Sequence, residues 1–148
     1  MKAIQTILLI AACSLALPTY AQDTSKRYYT DIPGVKANVL IKTSKAWNGN
    51  MLPAYGEGQP EITIVRYEFA PGASIPMHMH PVINAGVLLK GELTVLTKSG
   101  ETITLKAGEP LVELFKEWHY GANNGTETAE FIVVYAGTVG TPLVVREH

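Results

Sequence analysis

The sequence lacks several features that would assign it to common functional classes. Cys13 is the single cysteine among 148 residues, and we expect the segment around it to be removed, so disulfides and thiol chemistry are excluded from the mature protein. No cluster of basic residues is larger than the pair Lys26-Arg27, and the formal net charge is -1. We therefore expect no nucleic-acid partner. Charged residues are only 17% of the chain, against 47% hydrophobic residues, which permits one packed domain.

The first 21 residues have the features of a signal peptide. Lys2 gives a short basic start, residues 7–17 are almost wholly apolar, and small residues occupy positions 19 and 21. The apolar run is too short for a comfortable membrane span. We predict cleavage before Gln22 and export to the periplasm or the medium, with no membrane attachment afterwards. A retained membrane anchor is a less favoured alternative. Lipoprotein anchoring at Cys13 is also less favoured, because the apolar run continues beyond that cysteine.

The rest of the chain shows no helical period. We predict a loosely ordered arm over residues 22–37 and a single domain over residues 38–146. In this domain short β-rich runs alternate with glycine, proline and asparagine at spacings of roughly ten residues, which predicts an all-β sandwich or barrel. The predicted strands are residues 62–69, 85–90, 92–97, 101–105, 111–115, 130–135 and 143–145.

One predicted strand is apolar on both faces. Residues 131–135 read Phe-Ile-Val-Val-Tyr, and a strand buried on both sides needs a covering element on its outer face. A second subunit would supply that cover, so we expect a homodimer. The alternative is cover by residues 35–55 of the same chain, and the sequence leaves both open.

Three of the four histidines form a compact pattern. His78 and His80 are two residues apart, so on a strand both side chains project from one face and can reach one metal ion at about 2 Å. We expect His119 to come from a neighbouring strand and to complete a triad that leaves positions open for water or substrate. The alternative is a set of surface or hydrogen-bonded histidines. His148, the last residue, is expected to lie in a mobile tail.

The spacings around these histidines resemble the sequence motifs of the cupin superfamily. The first motif is matched by Gly72, His78, His80, Asn84 and Gly91, separated by five, one, three and six residues. Residues 110–123, which contain His119 and end at Asn123, resemble a degenerate second motif. The likeness extends over roughly residues 38–145 and is greatest to small exported single-domain cupins of the type-2 kind. It implies a jelly-roll β-barrel with one divalent metal ion in its mouth, and iron, manganese, nickel, zinc and copper all remain candidates.

Two positions depart from the cupin pattern. The first motif normally has glutamate where this chain has Asn84, and the second motif lacks its glycine. With three neutral imidazoles the double positive charge of the ion would stay uncompensated, so we expect a strong Lewis acid that favours anionic or chelating oxygen ligands. Asn84 is a candidate weak ligand through its carbonyl oxygen, or a partner of a metal-bound water; the alternative is a simple turn residue.

A carboxylate near the second motif is a weaker candidate. Glu113 alternates with Leu111 and Phe115, so it could face the barrel interior as a general base. A solvated charge is the favoured interpretation. The leading functional hypothesis is a metal-dependent enzyme, dioxygenase- or isomerase-like as the cupin resemblance allows, acting on a small oxygenated or anionic molecule. The competing hypotheses are a non-catalytic protein that binds a small molecule or metal, and a metal-free structural cupin.

Overall fold

The computed structural model describes residues 32–147. The predicted signal peptide, its cleavage site, residues 22–31 of the arm and His148 lie outside the described residues. The chain divides into two units, Met1–Asn38 and Val39–His148. The described part of the first unit, residues 32–38, is mostly exposed and begins with a turn closed by the Val35 N–H and the Ile32 carbonyl at 2.9 Å.

Nine strands of the second unit form two antiparallel sheets. They are β1 Pro60–Phe69, β2 His78–Met79, β3 Ile83–Lys90, β4 Glu92–Thr97, β5 Thr102–Lys106, β6 Pro110–Val112, β7 His119–Ala122, β8 Ala129–Thr138 and β9 Val145–Arg146. One sheet has the order β1-β8-β3-β6 and the other the order β5-β4-β7-β2-β9. Residues 32–147 contain no helix, so none of them forms a helix that could cross a membrane. The all-β prediction is confirmed.

The core lies between the two sheets and follows the alternation of the strands. In β8, Phe131, Val133 and Tyr135 are buried and face inward, whereas Val134 points outward and is 38% exposed. Leu88 of β3 and Leu111 of β6 join this cluster from the same sheet, and Leu93, Val95 and Leu105 join it from the facing sheet. Inward-facing alternate residues of both sheets therefore form one interior, as expected of a sandwich or barrel.

The outer face of the four-stranded sheet is covered in part by the chain itself. The Trp47 N–H donates to the Val112 carbonyl at 3.0 Å, and the indole packs against the core. Residues 53–56 line a pocket together with Ile62 and Ile83. Ile64 nevertheless remains 67% exposed, so the N-terminal segment covers only one end of this face. The homodimer stays a prediction.

His78 and His119 lie on neighbouring strands as expected, although neither strand is among the β-rich runs predicted from composition. β2 has only two residues and lies between Pro76 and Pro81, while β7 contains glycine and alanine, which rarely form strands on their own. Both exist because they pair with each other and with their neighbours in the five-stranded sheet. Tertiary pairing, rather than local preference, therefore creates the strands that position the site.

Candidate metal centre

The three histidines meet inside the barrel. His78 on β2 lies directly opposite His119 on β7 in the antiparallel pairing. His80, just after β2, is fixed by its carbonyl, which accepts a hydrogen bond from the Lys116 N–H at 2.8 Å. The ring centroids lie 4.9 Å apart for His78 and His80, 4.5 Å for His78 and His119, and 5.1 Å for His80 and His119. One nitrogen of each imidazole lies within 4.8 Å of the others, and all three side chains are buried.

Each imidazole is oriented by a backbone carbonyl. The Nδ1 atoms are hydrogen-bonded at 2.8 Å, His78 to Pro76, His80 to Leu143 and His119 to Glu117. A carbonyl oxygen only accepts, so each Nδ1 carries the proton, and Nε2 of the neutral ring is left as a lone pair. Histidines that bind metal in proteins are held in this way, with the second nitrogen donating to a carbonyl or carboxylate.

Glu113 lies among these nitrogens. Its side chain is buried, and Oε2 is 2.8 Å from Nε2 of His80 and 3.5 Å from Nε2 of His119. The interpretation of Glu113 as a solvated charge is therefore wrong; the chain beyond β6 turns the side chain into the interior. A carboxylate and an imidazole lone pair are both acceptors, so a contact of 2.8 Å requires a cation between them, either a proton or a metal ion.

The pKa values of Glu113, His80 and His78 agree with a carboxylate held among imidazoles. Burial alone would raise the pKa of Glu113, but the adjacent imidazoles of His119 and His80 outweigh it and lower the pKa to about 2. Burial would lower the pKa of His80, yet Glu113 raises it. Burial and the neighbouring imidazoles lower the pKa of His78 to about 4, so this ring is neutral at physiological pH.

The donor set fits a divalent cation. Nε2 of His119 is buried and has no hydrogen-bond partner among the described residues. A buried lone pair without a donor is costly, and a cation held by the three Nε2 atoms would satisfy it. Nitrogen ligands of this kind suit iron, nickel, copper and zinc.

The histidines open into a cavity of about 560 Å³. Its wall is mostly apolar and aromatic, with Tyr67, Phe69, Leu93, Val95, Phe131, Val133 and Tyr135 among the lining residues. The Tyr67 and Tyr135 hydroxyls are hydrogen-bonded at 2.9 Å. Arg146, opposite His78 in the β2–β9 pairing, adds a guanidinium to the lining. A cavity of this size and polarity suits a small molecule.

Comparison with known proteins identifies the domain. Residues 65–135 match the Cupin_2 family, described as the cupin domain. This domain is a cupin. The family and the all-β fold predicted from the motifs are thereby confirmed.

This cupin has relatives of known sequence and structure. It is 28% identical over 102 residues to virC of Hypocrea virens, a cupin-domain-containing oxidoreductase; the match covers 61% of this chain and 53% of virC. The chain thus spans about half the length of this curated relative. An uncharacterized conserved protein with a double-stranded β-helix domain from Klebsiella pneumoniae is 25% identical, with a TM-score of 0.50 over 62% of this chain and 90% of that one. The polyketide cyclase RemF of Streptomyces resistomycificus, 22% identical, shares the fold with a TM-score of 0.51 over 62% of this chain and 63% of that one.

Asn84 of this cupin does not lie on the histidine strand. The chain bends at Pro81 and Val82 and enters β3 of the other sheet, so Asn84 and His78 lie on different sheets. Asn84 is 2% exposed within β3, which makes the turn-residue interpretation wrong. Neither Oδ1 nor Nδ2 has a hydrogen-bond partner among the described residues. Whether Asn84 binds the ion stays a prediction.

Asn123, the last residue of the second cupin motif, has a structural position. Its Nδ2 donates to the Phe69 and Glu127 carbonyls at 2.8 and 2.7 Å, and its Oδ1 accepts from the Gly125 N–H at 2.9 Å. These bonds close the turn between β7 and β8 and tie it to the end of β1. The side chain therefore holds the barrel together and is not free to bind a ligand.

Sequence reasoning missed three polar residues of the cavity. Tyr67 and Tyr135 were given no role at the site, although alternation with Phe69 and Val133 places both on inward faces. Arg146 carried no signal in the sequence, because only the pairing of β9 with β2 brings it to the mouth. Trp47 packs against the core and Tyr55 is 86% exposed, so neither lines this cavity.

Proposed function

We propose that this cupin holds one divalent metal ion on His78, His80 and His119 and is a metal-dependent oxidoreductase of the dioxygenase kind. The observation that carries the proposal is the convergence of three buried Nε2 atoms whose tautomers are set by backbone carbonyls. The description of virC as an oxidoreductase favours oxidation over isomerisation. In dioxygenation O₂ is the oxidant and both of its atoms enter the product, so no external reductant is needed.

The cavity indicates the class of substrate. When bound, the metal supplies a Lewis acid with positions open to chelating oxygen atoms. Arg146 supplies a cation that can pair with a carboxylate at the mouth, and the apolar wall excludes water from the bound molecule. We therefore propose a small anionic molecule with two adjacent oxygen functions.

The tyrosine pair would act as a hydrogen-bond donor to this substrate. Burial, and then the hydrogen bond with Tyr67, raise the pKa of Tyr135 above its ordinary value. The hydroxyl therefore keeps its proton at all physiological pH values, and the pair orients an oxygen atom without acting as a base.

The proposed location is the periplasm or the medium. This part of the proposal depends on the signal-peptide features of residues 1–21 alone. Fractionation of cells that express the full chain, with N-terminal sequencing of the product, would test it. A product beginning at Gln22 is expected, and a full-length cytoplasmic product would contradict it.

The experiment for the activity is oxygen uptake by the iron- or manganese-loaded protein, purified without a histidine tag, in the presence of catechol, diketone and sugar-acid substrates. We expect uptake with at least one substrate and none in His80→Ala. No uptake with any of them at one bound metal per chain would contradict the proposal.

A binding protein without turnover is the second candidate. Glu113 is the one carboxylate lining the cavity among the described residues, and its contact with His80 leaves it unavailable as a free base. An increased melting temperature with a ligand that is recovered chemically unchanged would favour this candidate.

A further inference from the structure

The cupin motif lacks its glutamate at position 84, and a carboxylate is present on the adjacent segment. β3 and β6 are antiparallel neighbours with Ala85 opposite Val112. One residue further along, the Glu113 N–H donates to the Asn84 carbonyl at 3.1 Å. The backbones of Asn84 and Glu113 are therefore in direct contact.

Both side chains point to the interior. Asn84 shares the face of β3 that carries Leu88 into the core, and it is almost wholly buried. Glu113 lies on the segment next to Asn84, and its carboxylate reaches His80 and His119. The buried carboxylate of Glu113 therefore comes from the segment next to β3, whereas the cupin motif places its glutamate on β3 itself.

From this geometry we propose that Glu113 is a ligand of the metal ion. The inference rests on the proposed function, since it requires an ion on the three histidines. Oε2 of Glu113 approaches the same Nε2 atoms that would bind the ion, 2.8 Å from that of His80 and 3.5 Å from that of His119. Ligand atoms of one ion, each at about 2 Å from it, lie at such separations from each other.

The proposal changes the charge expected at the site. Sequence reasoning predicted three neutral ligands and an uncompensated double positive charge. A carboxylate ligand cancels one unit of that charge, so the site would resemble the common cupin donor set while drawing the carboxylate from a different strand. Glu113 would then be unavailable as the general base that the sequence suggested.

The proposal also explains why position 84 carries an amide. A second carboxylate at position 84 would be buried on the strand next to the Glu113 segment, and two buried like charges on adjacent segments cannot both be ionised cheaply. Asparagine keeps the shape of the acidic side chain without the charge. Asn84 and Glu113, buried on adjacent segments, would therefore place a single charge in this part of the interior.

The test is a Co²⁺ titration of the metal-free full-length mature protein, recording affinity and the visible absorption of the bound ion. Glu113→Gln should raise Kd at least about 10-fold, as loss of even an outer-sphere partner does, and should change the absorption spectrum. The spectrum separates a ligand from a charge that acts through space. Glu130→Gln, which removes a surface carboxylate paired with Arg66, is the matched control and should change neither.

Three results of this titration would test whether Glu113 is a ligand of the ion. Glu113→Gln with the parental Kd and spectrum would overturn the assignment of Glu113 while leaving the proposed function intact. Failure of the parent protein itself to bind Co²⁺ would overturn the proposed function. If Glu113→Gln does not fold, Glu113→Asp keeps the charge on a shorter side chain: an altered spectrum supports ligation, and an unaltered one overturns it.

Discussion

Oε2 of Glu113 and Nε2 of His80 lie 2.8 Å apart. Neither atom ordinarily carries a hydrogen, because Glu113 is a carboxylate and the proton of the neutral His80 ring is on Nδ1. In the metal-free protein a proton bridges them, which agrees with the raised pKa of His80. In the metal-bound protein the ion would replace that proton. The site is therefore arranged so that binding of a cation and loss of a proton are the same event.

Asn84→Glu tests the coupling between positions 84 and 113. The variant restores the glutamate that the first cupin motif normally has at this position. The structure places the buried carboxylate of Glu113 on the adjacent segment. Since the Asn84 amide already lacks a hydrogen-bond partner among the described residues, the new cost is that of a second buried acidic group, and we expect the metal-free variant to be less stable by about 1–3 kcal/mol.

The companion variant Asn84→Glu/Glu113→Gln restores a single carboxylate. Urea denaturation of the metal-free proteins should show that the double variant recovers part of the lost stability, a non-additive result. Strictly additive effects would mean that the two side chains do not interact.

Gly86→Ala tests the packing of the cavity wall. A Cβ at position 86 would lie 2.3 Å from the Ile132 carbonyl oxygen and 2.7 Å from the Phe131 ring. Overpacking of this kind costs about 1–3 kcal/mol. Gly56→Ala is the control, since a Cβ there meets no atom within 4 Å. Urea midpoints that fall equally in both variants would contradict the packing described for β3.

Asn123→Ala separates structure from metal binding. The variant loses three side-chain hydrogen bonds, and we expect a loss of about 2–4 kcal/mol in the free energy of unfolding. The Co²⁺ affinity of the folded protein should stay within about 2-fold of the parent, because the amide contacts only backbone groups. A large loss of affinity at unchanged stability would place Asn123 in the site.

Arg146→Gln tests the anionic substrate. Malonate and its neutral analogue malonamide can be compared as ligands of the metal-bound protein by calorimetry. We expect roughly 10-fold weaker binding of malonate in the variant, corresponding to one charge-assisted hydrogen bond, and little change for malonamide. Arg66→Gln, on the outer face, is the control. Equal loss for both ligands would indicate a general distortion of the mouth.

Much of this fold could be predicted because it depends on residue patterns within single strands. The run of β-branched and aromatic residues at 131–135 identified β8, and the spacing of His78 and His80 predicted their common face. These features depend on the pleat of a single strand, which a sequence displays directly.

The rest of the site depends on which strands become neighbours. Glu113 reaches His80 only because the segment after β6 lies beside β3, and Asn84 leaves the histidine sheet only because the chain bends after His80. Arg146 joins the cavity through the pairing of β9 with β2. Such contacts between distant residues are set by the closure of the barrel, and no local pattern reports them.

The most direct measurement is the metal content of the mature protein purified without a histidine tag, beside that of His80→Ala and His148→Ala. The account predicts about one divalent ion per parent chain and per His148→Ala chain. His80→Ala should lose it, together with a metal-dependent stabilisation of about 2.7 kcal/mol at free metal 100 times Kd. A parent protein that stays free of metal after exposure to iron, manganese, nickel, zinc and copper would contradict the claim that the three imidazoles hold an ion.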